Sequence, residues 1–125
     1  MIPIHIEIAS DRFEGHLDPD LAPQTVQKIV DALPIETSVN TWGDEFYFQI
    51  PVSHPAENAV ESLSVGDLAY WPAGSAFCIF FGLTPMSSDI GNLVPASAVN
   101  PLGRIEGAEK LTNYSDGDTI RITRA

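Results

Sequence analysis

Short apolar runs separated by Gly, Pro and Asp turns make up most of the chain, and this pattern restricts the fold more than any other feature. Isoleucines occupy every second position from Ile2 to Ile8, which is the period of a strand with one buried face. A second extended run, Phe13 to Leu17, is expected to pair back with it. Only the segment from Ala22 to Leu33 has a helical apolar stripe, and Pro34 ends it. The pattern predicts a mainly β fold with one main helix.

The rest of the chain is also strand-like. Six further extended segments are predicted at Ile35 to Trp42, Glu45 to Val52, Gly66 to Pro72, Ala76 to Gly82, about Val99 to Glu106, and Asp118 to Thr123. Many short strands with frequent turns indicate a closed or nearly closed antiparallel barrel, which leaves few exposed edges. Segments 53–65 and 83–98 are the long connections. Because binding residues often lie on long loops of rigid scaffolds, Thr84 to Ser97 is a candidate site segment.

Length and charge limit the classes of partner. The 125 residues suit one domain, residues 1–125, with a core of its own. The net charge of −11 argues against nucleic acid and anionic membranes, since both attract clustered Lys and Arg. We find no basic leader with a long apolar run and no transmembrane-length apolar segment, and Cys78 is the single cysteine. These features predict a cytoplasmic protein.

Familiar catalytic and metal-binding patterns are missing. His5, His16 and His54 show no paired spacing, so we predict no metal site and no cofactor. Cys78 lies in an apolar run without a basic neighbour, where a cysteine is usually a small hydrophobic residue and not a nucleophile. Ser75 belongs to a turn and does not complete a nucleophile motif.

Aromatic residues and carboxylates are concentrated in the middle of the chain. Asp44 and Glu45 follow Trp42 and precede an aromatic run, and two interpretations stay open: a carboxylate at a pocket mouth, or a turn Asp followed by a strand Glu that faces solvent. No lysine or arginine occurs between Lys28 and Arg104. A site built from this interval would therefore suit neutral, apolar or cationic ligands, the last through ring faces.

Several motifs together resemble one family. The relevant stretches are Ala22 to Val26, the strand that opens at Gly66, Gly74 to Ile79, and Leu102 to Gly107. They resemble the cyclophilins, the barrel-forming peptidyl-prolyl isomerases. Trp42 to Phe48, Gly66 to Pro72 and Phe80 to Pro85 are similar to the W-G-D-E-x-Y-F, G-D-x-A-Y-W-P and F-F-G-x-T-P signatures of a bacterial and archaeal branch of cyclophilin-like proteins. The resemblance spans nearly the whole chain.

The resemblance implies a closed eight-stranded antiparallel barrel with one main helix and a short helical turn. Active cyclophilins use an arginine and a glutamine at the prolyl bond. The corresponding stretches here read Trp42 to Glu45 and Ser75 to Cys78, so both polar groups are absent. Arg104, Arg121 and Lys28 are expected on strand or helix exteriors. Prolyl isomerase activity is therefore expected to be weak or absent.

The leading hypothesis is a binding module for a peptide or a small neutral or cationic ligand. Its groove is predicted to comprise Trp42, Glu45, Tyr47, Phe48, Trp71, Phe81 and Thr84. Tyr70, Phe77 and Ile79 are expected to point into the barrel core. One alternative is an active peptidyl-prolyl isomerase with a relocated donor. A second is a structural domain that self-associates into a homo-oligomer, with Trp42 and Trp71 in the interface.

Overall fold

The computed structural model describes residues 1–125 and contains nine strands, one α-helix and two short 3-10 helices. The strands are β1 (Ile2–Ile8), β2 (Asp11–Leu17), β3 (Ile35–Ser38), β4 (Asn40–Thr41), β5 (Glu45–Gln49), β6 (Asp67–Trp71), β7 (Ala76–Phe80), β8 (Asn100–Ile105) and β9 (Thr119–Arg124). The helix α1 spans Pro23–Ala32, and the 3-10 helices span Pro72–Gly74 and Ala108–Asn113. No helix combines the length and the apolar character needed to cross a membrane.

All nine strands form one antiparallel sheet in the order β3-β9-β1-β2-β8-β6-β7-β5-β4. The two end strands, β3 and β4, are consecutive in the chain and are separated only by Val39. The Val39 amide donates to Asp118, and its carbonyl accepts from Gly117, at 2.9 and 2.8 Å. The barrel is therefore nearly closed by residues 35–41. The expected eight strands become nine because this stretch, predicted as one strand, pairs with β9 before Val39 and with β5 after it.

The barrel interior holds the main core. Ile4, Ile6 and Ile8 all have 0% exposure, as the alternation in the sequence predicted. Aromatic side chains from the central strands fill much of the remaining interior. Tyr70, Phe77 and Ile79 belong to this core, which confirms their predicted inward orientation.

The α1 helix packs one face, with Thr25, Val26 and Ile29, against the barrel. It ends one residue before Leu33, close to the predicted limit. Asp18 and Asp20 precede the helix, and the Asp18 carboxylate accepts a hydrogen bond from the Asp20 amide. The amides of Gln24 and Thr25, in the first turn, have no partner within the helix and donate to the Glu57 carboxylate at 3.1 and 2.8 Å. A distant loop residue therefore stabilises the positive end of the helix dipole.

The outer face of the central strands is also covered. Six buried residues form a second cluster there, comprising Leu63, Ala69, Cys78, Phe80, Leu93 and Val99. The two long connections lie over this face and are joined to each other by the Leu63–Leu93 bridge, and a Val60–Val99 bridge fixes the first of them to the start of β8. All five residues of β7 are consequently buried, which explains why its sequence is a continuous apolar run and does not alternate.

Candidate functional site

A cavity of about 210 Å³ lies on the outer face of the barrel, between the central strands and the long connection that precedes β8. Its walls are mostly apolar and include three large aromatic rings. The lining residues are Trp42, Glu45, Tyr47, Trp71, Cys78, Pro95, Ala96 and Val99. Trp42, Tyr47 and Trp71 are each half-buried, so the rings form a rim that is partly exposed to solvent.

The pairing of three neighbouring strands determines which residues form the floor of this cavity. Glu45 and Tyr47 are two residues apart on β5 and therefore share its outer face. Tyr47 pairs with Cys78 on β7, and Cys78 pairs in turn with Ala69 on β6. Trp71, two residues beyond Ala69, completes the same face. The cavity thus crosses three neighbouring strands.

Trp42 reaches the cavity from the turn between β4 and β5. Gly43 has a φ of +59°, and a Cβ there would lie 2.8 Å from both the Leu83 carbonyl oxygen and the Pro85 ring. The Asp44 amide donates to that same carbonyl at 2.9 Å. Only glycine suits this combination of backbone angle and close approach. The W-G-D-E and F-F-G-x-T-P stretches are therefore in direct contact, and this contact fixes the turn that carries Trp42.

Trp71 is held from three sides. Its indole Nε1–H donates to the Ser97 hydroxyl at 2.6 Å. Its ring meets Tyr47 edge to face, with centroids 6.4 Å apart and an interplanar angle of 84°. Gly74 lies against the ring, because a Cβ at that position would come within 2.5 Å of it. The Pro-Ala-Gly turn after β6 is therefore a support for the cavity wall.

Glu45 is the only charged residue that lines the cavity. It is 5% exposed, and its buried Oε1 atom has no hydrogen-bond partner. Burial raises the pKa of this carboxyl from its usual 4.5 to about 7, although the neighbouring Cys78 thiol lowers it somewhat. The solvent-facing interpretation of Glu45 is therefore wrong. The alternating pattern identified a strand but gave no sign that a long connection would cover its outer face.

Four of the seven predicted groove residues line the cavity, namely Trp42, Glu45, Tyr47 and Trp71. Phe48 follows Tyr47 and so points to the opposite, inner face, where its ring stacks on Phe77 with centroids 5.5 Å apart. Phe81 packs 4.5 Å from Phe46, also inside the barrel. These two rings are part of the core and do not form the groove.

Thr84 is buried at the base of the connection before β8 and lies outside the cavity lining. Its hydroxyl donates to the Val94 carbonyl at 2.5 Å, and its amide donates to the Ser87 hydroxyl at 3.2 Å. It therefore fixes the shape of the loop that supplies Pro95 and Ala96. Those two residues lie in the predicted site segment, but neither was singled out because small apolar loop residues carry no chemical signal in a sequence.

No lysine or arginine lines the cavity. The Lys28 ammonium donates to the Ser53 carbonyl at 2.9 Å, and Arg104 pairs with Asp67. Arg121 pairs with Glu36 at 3.2 Å. These partners hold all three basic side chains on the exterior of the barrel. No group of three or more His, Cys, Asp or Glu side chains is arranged to hold a metal ion.

The family model described as cyclophilin-like matches residues 2–123. The chain belongs to the cyclophilin-like family. This cyclophilin-like protein is also similar to the hypothetical protein AF2241 from Archaeoglobus fulgidus, whose solution structure it matches with 42% identity and a TM-score of 0.83. The match covers 99% of this chain and 95% of that one. No curated protein matches the sequence.

The cavity of this cyclophilin-like protein joins apolar walls to a single buried acid. Burial raises the pKa of the Cys78 thiol well above its usual value, and the adjacent Glu45 raises it further. A thiol with so little thiolate is a poor nucleophile. The arrangement is suited to binding a compact apolar group that presents a hydrogen-bond donor to Glu45.

Proposed function

We propose that this cyclophilin-like domain is a binding module and that its aromatic cavity holds a peptide side chain or a small neutral or cationic ligand. The observation that carries the proposal is the unpartnered Glu45 Oε1 at a cavity lined by Trp42, Tyr47 and Trp71. Buried polar atoms normally have hydrogen-bond partners, and leaving one without a partner costs about 1–3 kcal/mol. A ligand that donates to Glu45 would recover this cost.

Prolyl isomerase activity is proposed to be weak or absent. Rotation about the prolyl bond has a barrier of about 18–20 kcal/mol, and a positioned donor that stabilises the twisted amide lowers it. Losing one preorganised donor costs about 3–4 kcal/mol in other enzymes, or roughly a hundredfold to thousandfold in rate. Here the charged group at the cavity is Glu45, and Arg104, Arg121 and Lys28 are engaged elsewhere. An acid that becomes an anion as pH rises cannot replace a guanidinium.

Intrinsic fluorescence tests the binding proposal directly, because the only two tryptophans of the protein both line the cavity. Small aromatic and aliphatic alcohols, small amines and proline-containing peptides should be titrated while emission and melting temperature are followed. We expect at least one class to shift both signals in a saturable way. A panel that leaves both signals unchanged would count against a binding role.

A blocked cavity provides the matched control. Ala96→Phe places a ring at the cavity wall, whereas Ala59→Phe adds the same ring at an exposed position outside the lining. Binding should be lost in the first variant and retained in the second. Equal binding by both variants would place the ligand elsewhere on the protein.

We also propose that the protein works in the cytoplasm. The support is its one free thiol, Cys78, which is buried and is compatible with a reducing compartment. Fractionation of source cells, followed by immunodetection, tests this placement. Recovery of the protein in a secreted or membrane fraction would contradict it.

A further inference from the structure

We infer that the ligand of the cavity is a small primary amine whose ammonium group is bound by Glu45 and whose apolar body lies between the aromatic rings. This inference rests on the proposed binding function and adds the chemical class of the ligand. It starts from the carboxyl group at the cavity wall, which is nine-tenths buried and has an oxygen without a partner.

Glu45 limits the kind of group that the ligand can present to it. Once it is ionised, the Glu45 carboxylate accepts hydrogen bonds and repels other carboxylates and phosphates. The adjacent Cys78 thiol is a weak donor that lowers the pKa of this carboxyl only in part, and Oε1 has no hydrogen-bond partner. A ligand must therefore bring the donor. An ionised Glu45 strengthens a hydrogen bond from either kind of donor, but an ammonium adds the attraction of opposite charges, so an ammonium is favoured over a hydroxyl.

The side chains around Glu45 also favour a cation. Trp42, Tyr47 and Trp71 present aromatic rings at the cavity, and the faces of such rings attract cations. No basic side chain competes for Glu45, since none lines the cavity. A cation in this cavity would be attracted by one carboxyl group and by the aromatic rings, and no positively charged side chain would repel it.

The volume of the cavity limits the size of the ligand. A dry apolar cavity of about 150 Å³ holds benzene, and the present cavity measures about 210 Å³. The additional space suits a six-membered ring that carries a short aminomethyl arm. The single carboxyl group matches one ammonium. Benzylamine therefore represents the class well, and benzyl alcohol is its neutral counterpart of nearly the same shape.

The experiment compares these two probes by calorimetry and tryptophan fluorescence at pH 8, with the full chain and its Glu45→Gln variant. We expect the full chain to bind benzylamine at least tenfold more tightly than benzyl alcohol. Glu45→Gln preserves the size of the side chain and removes its charge, so it should reduce the preference to about twofold or less. Retained binding of benzyl alcohol by the variant would show that its cavity is intact.

The outcomes separate the inference from the proposed function. Equal binding of the amine and the alcohol by the full chain would overturn the amine inference and leave a binding module in place. An amine preference that survives Glu45→Gln would also overturn it, because the charge would then act elsewhere. Failure of both probes to bind would overturn the amine inference, and failure of the wider panel and the peptides as well would remove the binding proposal.

Two further probes define the ligand more closely. Benzyltrimethylammonium carries the charge but has no N–H, so it should bind at least fivefold more weakly than benzylamine if Glu45 accepts a hydrogen bond. Tighter binding of this quaternary ion would overturn the assignment of a primary amine. N-acetyl-lysine methylamide tests whether a peptide lysine can supply the ammonium. Displacement of benzylamine by this compound would assign the amine to a lysine side chain, and no displacement would assign it to a free amine.

Discussion

Trp71 and Ser97 are joined by a 2.6 Å hydrogen bond from the indole N–H to the hydroxyl oxygen, which connects the end of β6 to the loop that covers the cavity. Ser97→Ala should loosen this loop, with a loss of about 0.5–1 kcal/mol in the free energy of unfolding. In a Trp42→Phe background, Trp71 emission should move to longer wavelength as its ring becomes more exposed. Ser88→Ala, at an exposed serine of the same loop, is the control. Identical emission spectra for the two variants would contradict the proposed link.

Because Gly74 has no side chain, the Trp71 ring can occupy the space next to its Cα atom. A Cβ at this position would lie 2.5 and 2.6 Å from two ring carbons, far inside normal contact distance. Gly74→Ala should therefore displace the ring and destabilise the protein by about 1–3 kcal/mol. Urea unfolding and near-UV circular dichroism measure the two effects. At Gly91 the nearest atom would be 3.5 Å away, so Gly91→Ala should leave the near-UV spectrum unchanged. A native-like spectrum for Gly74→Ala would contradict this prediction, because it would show that the turn accommodates the added Cβ without displacing the Trp71 ring.

The Glu45 carboxyl should make stability fall as pH rises from about 4.5 to about 7. In the unfolded chain Glu45 ionises near 4.5, whereas in the folded protein it keeps its proton until about 7. Over that interval the folded state binds more protons, so stability declines with pH and then levels off. The interval of about 2.5 pKa units corresponds to roughly 3 kcal/mol. Cys78 also lines the cavity, and its raised pKa keeps the thiol neutral over this interval.

Chemical unfolding at pH 4 and pH 8 tests this dependence. Glu45→Gln should be more stable than the unmodified protein at pH 8 and should lose that advantage at pH 4. Glu61→Gln, at an exposed carboxylate, should follow the unmodified protein at both pH values. A constant difference between Glu45→Gln and the unmodified protein at both pH values would show that Glu45 ionises normally.

Asn100 is a central polar contact between α1, β8 and the loop after β5. It is fully buried, accepts from the Glu57 amide at 2.8 Å, and donates to the Thr25 hydroxyl and the Pro55 carbonyl at 3.1 and 3.0 Å. Asn100→Ala leaves these groups without partners and should cost about 2–4 kcal/mol. Thermal and urea unfolding measure the loss. Asn113→Ala, at an exposed position, should change stability by less than about 0.5 kcal/mol, and a similarly small change for Asn100→Ala would contradict the network.

Prolyl isomerase activity on a standard proline tetrapeptide is expected to be at least a hundredfold below that of an ordinary cyclophilin. The physical reason is that the cavity has a single carboxyl group, that of Glu45, and no basic side chain. A protease-coupled assay, with an active cyclophilin as the positive control, measures the rate. Turnover within tenfold of the control would refute the prediction and favour an isomerase with a relocated donor.

The sequence alone determined the class of fold and named four of the residues that line the candidate cavity. The period-2 isoleucines, the single helical stripe and the frequent turns are local patterns, and local patterns report which residues share a face. They identified β1, α1 and the inward orientation of Tyr70 and Phe77. The family motifs quoted from Trp42 to Pro85 identified the cyclophilin-like relationship that the family comparison shows.

Only the tertiary structure decided which aromatic residues reach the cavity. Tyr47 and Phe48 are neighbours with similar side chains, yet one faces the cavity and the other faces the core. The tertiary structure also decided between the two interpretations of Glu45, because it buries this carboxyl at the cavity. Burial of a strand's outer face depends on where a distant loop lies, and that placement is set by long-range contacts such as Leu63 with Leu93, which no local pattern encodes.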